Sequence, residues 1–126
     1  MTYNVVLLYY FNKTKFIKGE IMEEKKDMDI IRNMRAIEWL KSELLSNIAY
    51  LYEVLAKGEE DTKDNLKDIV SNIVLTALLL SRRLGLSYED VFSSLEDNVR
   101  ANIIQQHKIE KWYGDLSELL ELMRTK

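Results

Sequence analysis

The stretch DNLKDIVSNIVLTALLLSRRLGLSYEDVFSSLEDNVRANII, residues 64–104, decides the fold of this chain. Its apolar residues recur at steps of three and four as far as Gly85, which predicts an amphipathic helix ended by this glycine. Ser87, followed three residues later by Asp90, has the pattern of a capping box with Asp in place of Glu, and predicts the start of another helix. The stretch therefore predicts two consecutive helices joined by a short turn.

Composition extends this helical interpretation to most of the chain. The 126 residues include no proline and four glycines, so few residues interrupt helices, and we expect the all-α class. A chain of this length has room for one domain. The absence of cysteine excludes disulfides, thiolate zinc sites and a cysteine nucleophile, and favours a reducing, cytoplasmic location.

Two further helices flank this stretch. The apolar spacing from Asp27 to Lys57 predicts a long first helix, kinked or broken near Asn33 and ended by Gly58. Asp61 or Thr62 is then expected to cap the second helix, which runs to Leu84. The third helix is expected to end between Gln106 and Trp112, and Gly114-Asp115 with Glu118 predicts a short last helix. Short connections favour antiparallel neighbours, so we expect a compact antiparallel bundle of about four helices.

Residues 1–21 differ in character from the rest. Val5 to Phe11 is rich in valine, leucine and aromatic residues, whereas the remainder is helical in pattern, and we treat 1–21 as an extension outside the domain of residues 22–126. It does not have the layout of a signal peptide. One hypothesis is that translation begins at Met22, because Lys18-Gly19-Glu20 can be encoded by a purine-rich ribosome-binding sequence. The alternative is an edge strand or a loosely docked tail.

The second faces of the two long helices carry further predictions. Leu75 and Leu79 lie opposite the main apolar stripe of the second helix, so its C-terminal half is apolar all round, and we expect a homodimer or larger homo-oligomer. The first helix carries a polar and aromatic stripe on its second face, suited to lining a pocket: Trp39, Glu43, Asn47, Tyr50 and Val54. The alternative for this stripe is a solvated face with two exposed aromatics.

These positions carry a family resemblance, clearest in KDIVSNIVLTALLLSRRLGLSYEDVF and LEDNVRANI. Over roughly Ile30 to Tyr113 the chain resembles the MazG-like branch of the all-α nucleoside triphosphate pyrophosphohydrolase superfamily. The resemblance implies Mg²⁺ held by a Glu-x-x-Glu pair and a Glu-x-x-Asp pair on successive helices, and hydrolysis of a nucleoside triphosphate between its α and β phosphates. Clustered carboxylates suit this chemistry because Mg²⁺ prefers hard oxygen ligands.

The carboxylate pattern is incomplete in this chain. The first pair survives only as Glu43, and the second reads Asn65-Leu66-Lys67-Asp68, with an amide in place of the glutamate. The resemblance implies Glu43 and Asp68 as metal ligands, and Asp64, adjacent to Asn65, is the candidate to replace the missing glutamate. It implies phosphate-side roles for Asn98 and Arg100. Trp39 and Asn47 of the stripe on the first helix, with Asn65, complete the predicted substrate-binding residues. We expect weak Mg²⁺ binding at best, and weak or lost pyrophosphohydrolase activity.

Other classes of function are less well supported. The residues from Arg82 to Val91 resemble the turn of a DNA-binding helix-turn-helix, but four carboxylates precede the first basic residue of the would-be recognition helix, Arg100, and would repel phosphate. We therefore expect no nucleic-acid partner. The longest apolar run, Ile73 to Leu80, is too short to cross a bilayer. The main alternative is a non-catalytic regulatory or interaction protein on the same scaffold, which binds a nucleotide without cleaving it.

Overall fold

A computed structural model describes the backbone of residues 20–58 and 63–125, with side chains from Lys26 onward. These ranges contain five helices and no strand: α1 Glu20–Lys57, α2 Lys63–Arg83, α3 Tyr88–Ile104, α4 Lys108–Tyr113 and α5 Asp115–Thr125. The all-α prediction is therefore confirmed for this part of the chain. The extension 1–21 lies almost wholly outside the described residues, as do the predicted caps Asp61 and Thr62.

Helix α1 is longer than the sequence pattern predicts. It begins at Glu20, before the predicted Asp27, and runs to Lys57 as one helix that is unbroken at Asn33. Neither proline nor glycine occurs in this range, so nothing forces an interruption of the helix. The helix then ends at Gly58, whose φ of 61° is the left-handed conformation that commonly follows a C-terminus.

Helices α1 and α2 pack against each other as an antiparallel hairpin. The most buried side chains are Ile37, Leu40 and Val54 on α1 with Ile69 and Thr76 on α2. They belong to a contact stripe on each helix with alternating steps of three and four: residues 37, 40, 44, 47, 51 and 54 on α1, and 69, 73, 76 and 80 on α2. Each fully buried aliphatic side chain stabilises the hairpin by about 1.5–3 kcal/mol relative to exposure.

The contact stripe differs in part from the predicted one. Ile31 and Leu55 belong to the apolar spacing from which α1 is predicted, and Val70 to that of α2, but these side chains are 51%, 55% and 47% exposed. Val54, assigned to the second face of α1, is instead 7% exposed and faces the core. The reason is that α2 covers only one narrow stripe of α1, whereas the apolar residues of α1 form two.

The turn between α2 and α3 follows its sequence signals. The backbone N–H of Leu84 still donates to the carbonyl of Leu80 at 3.0 Å, and Gly85 then adopts a φ of 95°. Ser87 is extended and its Oγ accepts from the backbone N–H of Asp90 at 3.0 Å. The predicted glycine stop and serine N-cap are confirmed.

The end of α3 was predicted too late in the chain. It ends at Ile104, and Gln106 takes a positive φ of 55°. The imidazole Nδ1 of His107 accepts from the backbone N–H of Ile109 at 3.2 Å and thereby caps the short helix α4. Gly114, with a φ of 71°, ends α4 and precedes α5. Helix α5 corresponds to the predicted short last helix, and α4 is an additional short helix before it.

The chain divides into two compact units between Gly85 and Leu86. The first contains the α1–α2 hairpin, and in the second α3 and α4 both pack against α5. The assignment of residues 22–126 to one domain stays a prediction. Within the described ranges, no helix combines the length and the apolar character needed to cross a membrane.

Candidate functional site

A polar contact interrupts the apolar interior of the hairpin. The amide Nδ2 of Asn47 donates to Thr76 Oγ1 at 3.3 Å, and Thr76 Oγ1 donates to the backbone carbonyl of Asn72 at 2.6 Å. Thr76 is 8% exposed and Asn47 half-buried. Because both donors are used and the bond links the two helices, it fixes their relative position along the hairpin.

Three of the predicted site residues of the hairpin, Trp39, Glu43 and Asp68, lie on one side of it. Trp39, Glu43 and Tyr50 are displaced by roughly 100° from the contact stripe of α1, and Asp68, Leu75 and Leu79 by a similar angle in the same sense on α2. When two helices are antiparallel, residues rotated about their own helix axes by the same angle and in the same sense away from the contact lie on the same side of the pair. We call this the Trp39 side of the hairpin. It is open to solvent, with Trp39 62% and Leu75 52% exposed.

The stripe predicted to line a pocket on α1 is therefore divided. Val54 and Asn47 point towards α2, whereas Trp39 and Tyr50 are exposed and Glu43 is half-buried. Asn47, a predicted substrate ligand, already uses its amide N–H on Thr76. The bond uses one of the two N–H groups of the amide, so the other N–H and the carbonyl oxygen are not engaged by it.

Glu43 and Asp68 share the Trp39 side but lie at different levels of it. Asp68 precedes Thr76 by eight residues, about 12 Å along α2. Glu43 precedes Asn47 by four residues, about 6 Å in the opposite direction, because the helices are antiparallel. The two carboxylates are therefore about 18 Å apart along the hairpin, more than about three helical turns, which is too far for one metal ion to contact both within a chain.

The third predicted ligand, Asp64, lies at the first turn of α2 and is fully exposed, with its Oδ1 3.9 Å from the Nζ of Lys67. Asn65, between them, is also exposed. Among the residues that the structure describes, no group of three or more His, Asp or Glu side chains is close enough to hold a metal ion. Glu43, Asp64 and Asp68 stay predicted ligands, and the structure does not bring the three together within one chain.

The phosphate-side candidates belong to the second unit. The Nη2 of Arg100 donates to Glu96 Oε1 at 2.8 Å, one turn earlier on α3, and both side chains are partly exposed. Asn98 is exposed, and its backbone carbonyl accepts from Asn102 Nδ2 at 2.8 Å. The Arg100 guanidinium has five N–H donors, and the bond to Glu96 is made through Nη2.

One polar contact of the second unit was not predicted from the sequence. The carboxylate of Glu110 on α4 accepts from the backbone N–H of Ser117 at 3.0 Å and from the Ser117 hydroxyl. The Ser117 side chain, then its backbone N–H, lowers the pKa of Glu110 below the ordinary 4.5. The carboxylate thus caps the first turn of α5 from the neighbouring helix α4. In the sequence, the signal for this contact is the spacing of seven residues between Glu110 and Ser117, across Gly114.

Comparison with known proteins gives one match. A family model described as MazG-like matches residues 30–116, more than half of the chain and nearly the range of the resemblance noted above. Searches of curated proteins and of solved structures found no match.

Proposed function

This chain belongs to the MazG-like family, and from that premise we propose a cytoplasmic, homo-oligomeric relative of the nucleoside triphosphate pyrophosphohydrolases. Its activity towards nucleoside triphosphates is weak or lost. The nucleotide would lie on the Trp39 side of the hairpin. The observation that carries this proposal is the placement of Trp39, Glu43 and Asp68 on one side of the hairpin, where the Asn47–Thr76 bond holds α1 and α2 in fixed register.

The chemistry of this side suits binding better than catalysis. An exposed tryptophan offers a flat apolar surface for a base. Mg²⁺ bridging a triphosphate would need several oxygen ligands at one point, and the carboxylates of one chain do not meet. We therefore propose weak Mg²⁺ binding at best.

The alternative is a non-catalytic regulatory or interaction protein on the same scaffold, with a nucleotide bound but not cleaved. The separation of Glu43 from Asp68 along the hairpin favours this alternative. It differs from the first proposal in one measurable respect, which is whether any pyrophosphate release depends on these two carboxylates.

The deciding experiment is a pyrophosphate-release screen over canonical and modified nucleoside triphosphates, with Mg²⁺ and with Mn²⁺. The wild type is compared with a Glu43→Ala, Asp68→Ala double variant and with Glu53→Ala, a matched exposed carboxylate on α1. Slow release by the wild type and Glu53→Ala, absent in the double variant, would support residual catalysis. Equal release by all three proteins would exclude it.

A thermal-shift series on the wild type and on Trp39→Ala tests the alternative, in which a nucleotide is bound but not cleaved. A nucleotide that raises the melting temperature of the wild type without turnover, and does so less for Trp39→Ala, supports binding on the Trp39 side. An unchanged melting temperature with every nucleotide would contradict both proposals.

A further inference from the structure

Four exposed arginines lie at the end of the hairpin where α2 ends: Arg32 and Arg35 on α1, and Arg82 and Arg83 on α2. The two helices are in contact there. Asn33 Nδ2 donates to the backbone carbonyl of Arg83 at 3.0 Å, and Asn33 Oδ1 accepts from Arg83 Nη1 at 3.3 Å. Because Arg32 is next to Asn33 and Arg82 is next to Arg83, this contact gathers four positive charges. We call these four residues the arginine end.

The arginine end continues the Trp39 side of the hairpin. On α1, Arg35 precedes Trp39 by four residues and Arg32 precedes Arg35 by three, and side chains at these spacings are neighbours on a helix surface. On α2, Arg82 follows Leu79 by three residues. Arg32 is displaced from the contact stripe by roughly 100°, and Arg35 and Arg82 by roughly 150°, all in the same sense as Trp39. The exposed indole and the arginines therefore adjoin, with Arg35 about 6 Å from Trp39 along α1.

The positive charge of the arginine end is not balanced by nearby carboxylates of the described residues. None of Arg32, Arg35 and Arg82 forms an ion pair with another residue that the structure describes. Two carboxylates of α1 border the group. Asp29 lies three residues before Arg32, and Glu38 lies three residues after Arg35, with its Oε1 3.2 Å from the Nζ of Lys41. The arginines outnumber these carboxylates, so this end of the Trp39 side is positively charged.

Interactions within the hairpin account for only half of this group. Arg82 and Arg83 lie in the last turn of α2, where cations are stabilised by the partial negative charge of a helix C-terminus. Arg32 and Arg35 lie in the interior of α1, where the ends of the helix have no such effect, and like charges three residues apart repel each other. The pair on α1 therefore costs stability in the unliganded chain, and a bound anion would offset this cost.

We propose that the arginine end binds the phosphate chain of the nucleotide, whose base lies on Trp39, and that the guanidinium groups supply the positive charge without a metal ion. The inference rests on the proposed function and gives the nucleotide an orientation on the Trp39 side. A guanidinium group offers a planar fork of N–H donors that matches two phosphate oxygens, and a chain of phosphates can engage several such groups. Asp68 lies at the other end of this side, about 21 Å from Arg82 along α2, where its carboxylate would repel a phosphate.

The first test is a calorimetric titration of the full chain with inorganic tripolyphosphate in EDTA. Tripolyphosphate carries no base, so the result does not depend on which nucleotide the protein prefers. The wild type should bind it. Arg82→Gln, and the double variant Arg32→Gln, Arg35→Gln, should each raise the dissociation constant by about tenfold or more, because each removes a charged hydrogen-bond donor. Arg83 is left unchanged because it bonds to Asn33.

The matched control is Lys63→Gln, which removes one exposed positive charge from the first residue of α2. Lys63 lies about 30 Å from Arg83 along the helix, and salt screens charges so far apart. This variant should bind tripolyphosphate as the wild type does. A wild type that does not bind tripolyphosphate in EDTA would overturn the proposal. So would a loss of affinity in Lys63→Gln equal to that in Arg82→Gln, because the attraction would then be diffuse.

A second test connects the phosphates to the base. The chain has two tryptophans, so Trp112→Phe leaves Trp39 as the only one, and its fluorescence reports on a base that lies against it. The four ribonucleoside triphosphates are titrated into this protein in EDTA. At least one should quench the fluorescence. Adding Arg32→Gln and Arg35→Gln should then raise the concentration needed for half-quenching by about tenfold or more, and adding Lys63→Gln should not.

The same titrations separate this inference from the proposed function. Quenching that requires Mg²⁺, is lost in Glu43→Ala, Asp68→Ala and is kept in Arg32→Gln, Arg35→Gln would overturn the inference and leave the proposed function intact. Absence of quenching by all the nucleotides, with and without Mg²⁺, would overturn both.

Discussion

The side chains of Asn47 and Thr76 are joined across the hairpin by a 3.3 Å hydrogen bond in an otherwise apolar contact stripe. A polar pair at such a position usually costs stability and specifies register, because every other register leaves a buried polar group without a partner. In this chain the same bond determines how far Glu43 lies from Asp68.

We predict that Thr76→Val destabilises the first unit. The substitution preserves side-chain shape but leaves the Asn47 amide without its partner, at a cost of about 1–3 kcal/mol in the free energy of unfolding. Urea unfolding measures this cost. The control is the double variant Asn47→Leu, Thr76→Val, which should recover most of the loss because both polar partners are removed together. A double variant as unstable as Thr76→Val would argue against the bond.

We predict that Asn33→Ala loosens the end of α2. The Nδ2 of Asn33 donates to the backbone carbonyl of Arg83 at 3.0 Å, and its Oδ1 accepts from Arg83 Nη1 at 3.3 Å. The carbonyl is one of those that a helix C-terminus leaves without an internal partner. Loss of the hydrogen bond from Asn33 should cost about 0.5–1.5 kcal/mol in the free energy of unfolding. It should be seen as faster hydrogen exchange in Leu80–Gly85 than in Lys67–Ile73. Uniform protection in both segments would contradict the prediction.

We predict that Ser87→Ala destabilises α3 by about 1 kcal/mol, since Ser87 is the N-cap that accepts from Asp90 N–H. Ser87→Asp should retain the stability because aspartate caps equally well. Ser93→Ala, at an exposed position within α3, is the control and should change the melting temperature little. An equal effect of Ser87→Ala and Ser93→Ala would show that the cap contributes nothing.

We predict a pH dependence from Glu110. Its pKa is lowered in the folded state by the Ser117 hydroxyl and backbone N–H, so the unfolded chain binds a proton more readily than the folded one. The pair therefore stabilises the fold above about pH 4.5 and loses that contribution as the pH falls through the lower, folded pKa. In Ser117→Ala the pKa of Glu110 should rise, which carboxyl ¹³C shifts would measure. An unchanged titration curve would contradict the assignment of the shift to Ser117.

The turns of this fold were predictable because their signals are local. Gly58, Gly85 and Ser87 act through their own backbone conformation or through a neighbour three residues away, so one short segment determines the outcome. The all-α class followed from composition for a similar reason. Nothing beyond the segment itself had to be known.

The contact stripe and the site geometry were only partly predictable because they depend on pairing between distant segments. The sequence contains two apolar stripes on α1, and only the position of α2 determines that Val54 is buried while Leu55 is exposed. Likewise the sequence assigns Glu43 to the second face of α1, yet the separation of Glu43 from Asp68 depends on a bond between Asn47 and Thr76. Their roles as ligands, with those of Asp64, Asn98 and Arg100, stay predictions.

The two arms of the hairpin differ in length. Helix α1 has 38 residues and α2 has 21, about 57 Å against about 32 Å, so residues 20–32 continue past the end of α2 that Asn33 marks. A helical segment of this size is marginal in water by itself. The overhang should therefore open before the hairpin itself unfolds, seen as faster hydrogen exchange in residues 20–32 than in the part of α1 that α2 covers.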